Sequence, residues 1–298
     1  MLKTLVSGLF VGVLAFTGVA QAKEVHELRL AHYLPPMHNM AAKILPEWAQ
    51  RIEKASDGRL KITIYPAGQL LAVNEIFDGV RGGVADIGWS MPGATPGRFP
   101  AMSIMELPFI FKSAENASQV VMEAFEQGYM DKEFEGVKVL YLHTHHAGIV
   151  NTKDEVLERG VLDGVAFPYD AMKGLRLGEL VSYHIDFPMY VLTFYLVMNE
   201  AKYNSLPQDL QMIIDDNSGM KEAIAVGRAW DASEDEGRAY VKERGNVFIT
   251  LTPEQQKLWR ERAVPVIDSG IKEADKAGLP GKEIYDMAVR RAEELEKQ

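Results

Sequence analysis

The sequence predicts an α/β fold. Two observations carry this: short stretches of strict polar–apolar alternation, as in residues 27–32 and 60–65, and longer stretches with apolar residues at helical spacing between them, as in 40–55,. A third is the clustering of Gly, Pro and Asp where one pattern gives way to the other, as at Asp57-Gly58 and Pro66-Ala67-Gly68,.

In order, residues 27–32 read as a strand that ends in a Pro35-Pro36 loop, and residues 40–55 as a helix closed by Asp57-Gly58. A strand at 60–65 turns at Pro66-Ala67-Gly68 into a helix around 73–80, and 84–89 reads as the next strand. Residues 90–100, with three Pro and two Gly, read as a long loop. A helix over 113–127 and a strand over 137–145 follow, then a strand over 164–167, a helix over 169–177 and an apolar strand over 191–198. A helical pattern then runs from Ser205-Leu206-Pro207 to about Arg244, with Ser205 as N-cap and Pro207 in the first turn,. Unbroken, it would be roughly 50–60 Å long; Gly219, Gly227 and Gly237 are positions where it would bend. Thr252-Pro253-Glu254-Gln255 is a capping box that opens a further helix, and an amphipathic charged helix starts at Gly281,.

The 298 residues carry 32 Lys and Arg against 42 Asp and Glu, a net charge of −10. That balance builds no broad cationic surface and argues against nucleic acid as a partner. Cysteine is absent, which excludes thiol catalysis, thiolate metal sites and disulfides,. Lys3, an apolar or small stretch over residues 5–19 and the small-x-small Ala20-Gln21-Ala22 read as a secretory signal, cleaved after Ala22,. The apolar stretch is short for a membrane span. The expected product is exported and not membrane-embedded.

Catalytic patterns are few. There is no G-x-S-x-G, phosphate loop or G-x-G-x-x-G,. His143, His145 and His146 form a small cluster, and on a strand His143 and His145 share one face, as two zinc ligands would. No carboxylate or third His stands at ligand spacing, so the cluster reads as a polar cleft wall. His32, His38 and His184 read equally as site or surface residues. Tyr33, Trp89, Phe167 and Tyr169 are aromatic residues where strands meet loops, the place where open α/β sheets bind ligands. The acidic run Ser233-Glu234-Asp235-Glu236 reads as a solvated helix face,.

Several segments, in order, resemble one family. They are Leu28-Arg29-Leu30-Ala31-His32-Tyr33-Leu34-Pro35-Pro36, Gly58-Arg59-Leu60-Lys61-Ile62, Tyr65-Pro66-Ala67-Gly68-Gln69-Leu70 and Gly83-Val84-Ala85-Asp86-Ile87-Gly88. Glu106-Leu107-Pro108-Phe109, Val161-Leu162-Asp163-Gly164, His184 and Val197-Met198-Asn199 continue the series. Together they resemble the periplasmic solute-binding proteins of TRAP (tripartite ATP-independent periplasmic) transporters, the DctP-like family. The resemblance implies a two-lobed, hinged α/β receptor with a long C-terminal helix spanning the lobes. It implies an organic acid ligand, a separate membrane permease as partner, no cofactor and no catalysis. The expected division is a signal peptide at 1–22, lobe I at 23–145, a shortened lobe II at 146–206 and helices packing across both lobes at 207–298.

The sequence departs from the family at its ligand clamp. Relatives carry a D-x-x-G-x-K-x-R segment between the strand after Gly148 and Asp163-Gly164, and its Arg pairs with the ligand carboxylate. Here Asn151-Thr152-Lys153-Asp154-Glu155-Val156 runs straight into Leu157-Glu158-Arg159-Gly160, and roughly forty residues are missing by length,. No position matches the family Arg, and a second Arg that some relatives use near Gly148 is absent as well. Either the receptor is impaired or another cation replaces the clamp, with Arg98 first and Lys173 and Arg176 behind it. Loss of a strand–helix–strand unit exposes sheet edges and core, which favours the first alternative. The candidate ligand-binding set is His32, Tyr33, Trp89, Arg98, His145, Phe167, Tyr169, His184 and Asn199. The crowd of aromatic and His residues points to an aromatic or bulky acid rather than a small dicarboxylate. The rivals are an exported hydrolase or isomerase using the histidine cluster, and a structural periplasmic protein.

Overall fold

The computed structural model describes residues 24–153 and 164–297, built around two sheets. β1 (His26–His32) buries Leu28 and Leu30 completely, as its alternation predicts,. A π-helical turn, Met40–Ile44, runs into α1 (Leu45–Ala55), whose buried Leu45, Trp48, Ala49 and Ile52 form one helical stripe,. β2 (Leu60–Tyr65) pairs parallel with β1. After α2 (Ile76–Arg81), β3 (Ile87–Ser90) pairs parallel with the other side of β1, setting Trp89 opposite His32. α3 (Pro100–Met105) and α4 (Ala114–Glu126), the latter capped by the Ser113 hydroxyl accepting from Asn116 N, lead to β4 (Val137–Thr144).

The second sheet begins with β5 (Gly148–Thr152), flanked by antiparallel partners β6 (Gly164–Phe167) and, beyond α5 (Tyr169–Gly174), β7 (Tyr183–Tyr190). The chain then recrosses. β8 (Thr193–Asn199), buried at every position, inserts antiparallel between β3 and β4 of the first sheet. α6 (Glu200–Ser205), α7 (Gln208–Asp216) and α8 (Gly219–Glu243) follow, and β9 (Val247–Ile249) adds to β7 in the second sheet. α9 (Pro253–Lys276) starts at the expected capping box, with Thr252 and Gln255 reciprocally bonded, and α10 (Gly281–Leu295) closes the described chain. The strand orders are β2-β1-β3-β8-β4 and β6-β5-β7-β9. Among the described residues no helix is long and apolar enough to cross a membrane.

Several expectations are corrected. Lobe I is not confined to residues 23–145, since β8 completes its sheet, and lobe II extends beyond residue 206, since β9 completes the other. Local pattern marks a strand but does not name its partner. The 205–244 helix is three pieces: Ser205 ends α6 rather than capping, Pro207 caps α7, and the chain breaks at Asn217 and Ser218 before α8. Gly227 and Gly237 are points of close approach within continuous α8. A Cβ at Gly227 would stand 2.6 Å from the Ala114 carbonyl oxygen, and one at Gly237 2.0 Å from that of Tyr169,. The acidic run is not wholly solvated. Glu234 is buried and accepts from Asp170 N at 2.9 Å. The signal segment and the junction at Val156 lie outside the described residues.

Candidate functional site

β1 and β3 are parallel neighbours, so the residues at their carboxyl ends meet at one edge of the first sheet,. Tyr33 follows β1, Trp89 sits near the end of β3, and their rings stack at 5.5 Å. Phe194, from the start of antiparallel β8, stacks on Trp89 at 4.9 Å and an interplanar angle of 12°. Trp230 of α8 extends the ladder, 5.6 Å from Phe194 and again at 12°. Each such pair contributes about 0.5–1.5 kcal/mol beyond area burial. Phe167, Pro168, Asp170 and Ala171 approach from lobe II, and the two lobes together enclose a cavity of about 320 Å³.

The polar groups of this cavity are largely uncharged. Burial holds His38 and His145 down at about 4, so both are neutral near pH 7. His145 Nε2 accepts from Leu192 N at 3.1 Å, and His38 Nδ1 from Met40 N at 3.2 Å. Asp170 is pushed up to about 7, first by burial and then by the neighbouring Glu234. Its Oδ2 lies 3.8 Å from His38 Nε2, too far for a hydrogen bond,. No Lys or Arg stands among the described residues that line the cavity. The arrangement can hold a flat apolar ring, and its described lining residues offer a carboxylate no counter-charge.

Of the expected residues, Tyr33, Trp89, His145 and Phe167 line this cavity. The remaining five do not. Arg98 pairs with Asp78 at 2.8 Å, its guanidinium 4.1 Å from the centre of the Phe77 ring. Lys173 pairs with Glu236 and Arg176 with Glu179, at 2.7 and 2.8 Å. Asn199 caps α6 through Lys202 N and donates to the Val80 and Arg81 carbonyls. His184 bonds Asn151 Oδ1 at 2.7 Å and Asn246 Nδ2 at 3.0 Å. Tyr169 is buried against His184 and Phe248, and His32 is buried with no hydrogen-bond partner for either ring nitrogen among the described residues. Sequence reasoning left out Asp170, Leu192, Phe194 and Trp230. Asp170, next to Tyr169, was the nearest to a visible signal.

Because Arg98 is committed to Asp78 outside the cavity, Arg98→Ala is expected to leave ligand affinity unchanged. It should cost about 1 kcal/mol of stability or less, since the pair is partly exposed,; calorimetry and urea unfolding would read the two effects.

The three clustered histidines have structural partners. His143 Nε2 accepts from Trp89 Nε1 at 2.8 Å, and His146 Nδ1 pairs with Asp231 Oδ1 at 2.7 Å. Among the described residues no group of three His, Asp or Glu side chains is placed to hold a metal. Burial depresses His143 from 6.5 to about 3. Its folded value lies below its unfolded one, so its contribution is complete above about pH 6.5 and is lost as pH falls toward 3. At pH 5 the expected loss is about 2 kcal/mol. Urea unfolding at pH 7 and pH 5 should show a correspondingly smaller drop in His143→Gln than in the wild type. Equal drops would assign the acid sensitivity to other groups.

The model of the family described as bacterial extracellular solute-binding protein, family 7 (DctP) matches residues 30–154 and 155–273. The chain is 23% identical to a protein of Comamonas testosteroni named as an outer membrane transporter protein, over 320 aligned positions covering 92% of this chain and 94% of that one. Its structure resembles that of a TRAP solute-binding protein from Rhodoferax ferrireducens in complex with copurified benzoate. The TM-score is 0.83 at 26% identity, covering 92% of this chain and 99% of the other. A marine-metagenome TRAP solute-binding protein specific for aromatic acid ligands, in complex with metahydroxyphenylacetate, gives a TM-score of 0.84 at 28% identity, covering 91% and 99%.

Proposed function

Since the chain belongs to the bacterial extracellular solute-binding proteins of family 7, we propose that it is a TRAP-type receptor that captures an aromatic organic acid between its lobes and delivers it to a membrane permease. It is a receptor and not an enzyme. The observation that carries the aromatic reading is the ladder Tyr33–Trp89–Phe194–Trp230 along a largely apolar cavity. A ring buried there gains contact area on every side, whereas a small dicarboxylate would lose hydration at both ends. The two solved relatives, one with benzoate and one with metahydroxyphenylacetate, support the same class.

We infer further that the segment carrying the family clamp is absent from this chain and that the carboxylate is therefore held weakly. The family model matches as two stretches that meet between Asp154 and Glu155. The alignment to the Comamonas protein spans 320 positions, more than the 298 residues of this chain, so that protein has stretches with no counterpart here. Export fits the family description, and cleavage after Ala22 is tested by sequencing the N-terminus of the periplasmic form. The ligand class is tested by calorimetry with benzoate against succinate. Benzoate is expected to bind detectably but weakly and succinate not at all; a preference for succinate would refute the aromatic reading.

A further inference from the structure

α9 holds to the rest of the protein through one row of side chains and presents a different row to solvent. Ile267, Ile271 and Ala274, at helical spacing, pack on the main core,. The second row is Trp259, Arg262, Val266, Ser269, Glu273 and Lys276, and all six are exposed. The steps along it are three, four, three, four and three residues, the a/d spacing by which two helices pack along a seam. Beside it lies a groove of about 680 Å³ between α9 and the segment of α3, whose lining includes Pro100, Leu107, Gly270 and Ala277. Trp259 is 38% exposed, its neighbour Leu258 52% and Val266 56%. Large apolar side chains grouped on one flank beside a groove mark a docking surface. The charges of the row are also open to a partner. Glu273 bonds only its exposed neighbour Lys276, at 2.6 Å, and Arg262 has no ion pair among the described residues.

We propose that this flank of α9 is an interface to a second copy of the chain, the two α9 helices meeting antiparallel about a two-fold axis between Ile267 and Asp268. That axis sets Trp259 opposite the partner's Lys276, Arg262 opposite the partner's Glu273 and Val266 opposite the partner's Ser269. Each contact occurs twice, as a two-fold interface requires. The row is thus complementary to itself: two Arg–carboxylate pairs, two contacts of an ammonium with an indole, and the Val residues near the centre. The same axis brings Leu258 opposite the partner's Ala277, so Leu258 and Trp259 reach the end of the groove that Lys276 and Ala277 line. A parallel pairing would instead face Arg with Arg, Glu with Glu and Lys with Lys, which is repulsive at three of six positions. The order of charges therefore selects both the partner and its orientation. None of the six residues lines the ligand cavity, so the interface leaves that site free.

Sedimentation of the purified protein over a range of concentrations, at about 0.15 M salt, is the test. The wild type is expected to associate to a dimer with a Kd in the micromolar range. Arg262→Glu alone, or Glu273→Arg alone, places like charges opposite each other twice and should weaken association by roughly tenfold or more. The double variant Arg262→Glu/Glu273→Arg restores both pairs with their signs exchanged and should recover most of that loss. Trp259→Ala removes an anchor from each end of the seam and should also weaken the dimer by roughly tenfold or more. All three positions are exposed, so the variants should melt with the wild type, which separates loss of the interface from loss of the fold. A wild type that stays monomeric up to about millimolar concentration overturns the proposal. So does a dimer that either single charge reversal leaves intact. A double variant no tighter than the single ones overturns the antiparallel pairing and the proposal with it. No ligand enters the experiment, so these outcomes are independent of the receptor reading.

Discussion

Inserting a segment of the D-x-x-G-x-K-x-R type between Val156 and Leu157 is expected to raise affinity for an aromatic carboxylate by two to three orders of magnitude. The cavity as it stands supplies a stack of rings, two neutral histidines and a carboxyl group, with no cation among its described lining residues. A bare carboxylate entering it surrenders hydration worth several kcal/mol and receives no charge-assisted bond in return. A bidentate Arg reverses that balance: breaking a buried charge pair costs about 3–5 kcal/mol, and tenfold in affinity is 1.4 kcal/mol. Among the described residues β6 is the last strand of its sheet, an edge that the added unit could extend. Calorimetry of benzoate on the two chains at one pH makes the comparison. An insertion variant that folds and binds no better than its parent would show that the anion is anchored outside this cavity.

The second large effect is Trp89→Ala, expected to destabilise the protein by about 3–5 kcal/mol. Trp89 is fully buried, stacked between Tyr33 and Phe194, and its indole N–H donates to His143 Nε2. Truncation removes both stacking partners from the middle of the ladder and strands the His143 acceptor, a further penalty of about 1–3 kcal/mol if no water enters. Trp89→Phe keeps the stack and loses only the hydrogen bond, so it should cost clearly less. Urea unfolding separates the two variants. A loss below 1 kcal/mol in the alanine variant would mean that the ladder rearranges around the void. Trp89 thus stands both in the core and on the cavity wall, positions that sequence reasoning treats as alternatives.

What the sequence made legible follows from local physics. Alternation in residues 27–32 and 60–65 and the capping box at Thr252 each declare themselves within a few residues, and the structure places β1, β2 and α9 there. The family was legible through an ordered series of short motifs, and the matching model agrees. What stayed hidden is long-range. Nothing in the apolar run of β8 tells that it leaves β7 to pair with β3 and β4. The acidic run of α8 has the composition of a solvated face, yet Glu234 is covered because α5 packs on it. Arg98 looked available because Asp78, twenty residues earlier, carries no sign of pointing back at it. Trp230 was invisible as a cavity-lining residue for the same reason: only the packing of α8 brings it to Phe194.

The two close approaches along α8 have a mechanical consequence. Gly227 is a notch for the backbone of the first lobe at Ala114, and Gly237 a notch for the second at Tyr169. Ten residues of helix separate them, about 15 Å. With each lobe keyed into its own notch, the helix acts as a ruler, and neither lobe can slide along it without a backbone collision. Opening the cavity is left with pivoting about the notches or flexing the nearly three turns between them. Trp230 and Glu234 lie on that short span, one against the ligand space and the other against Asp170. The angle between the lobes and the grip on the occupant are therefore set by one stretch of helix.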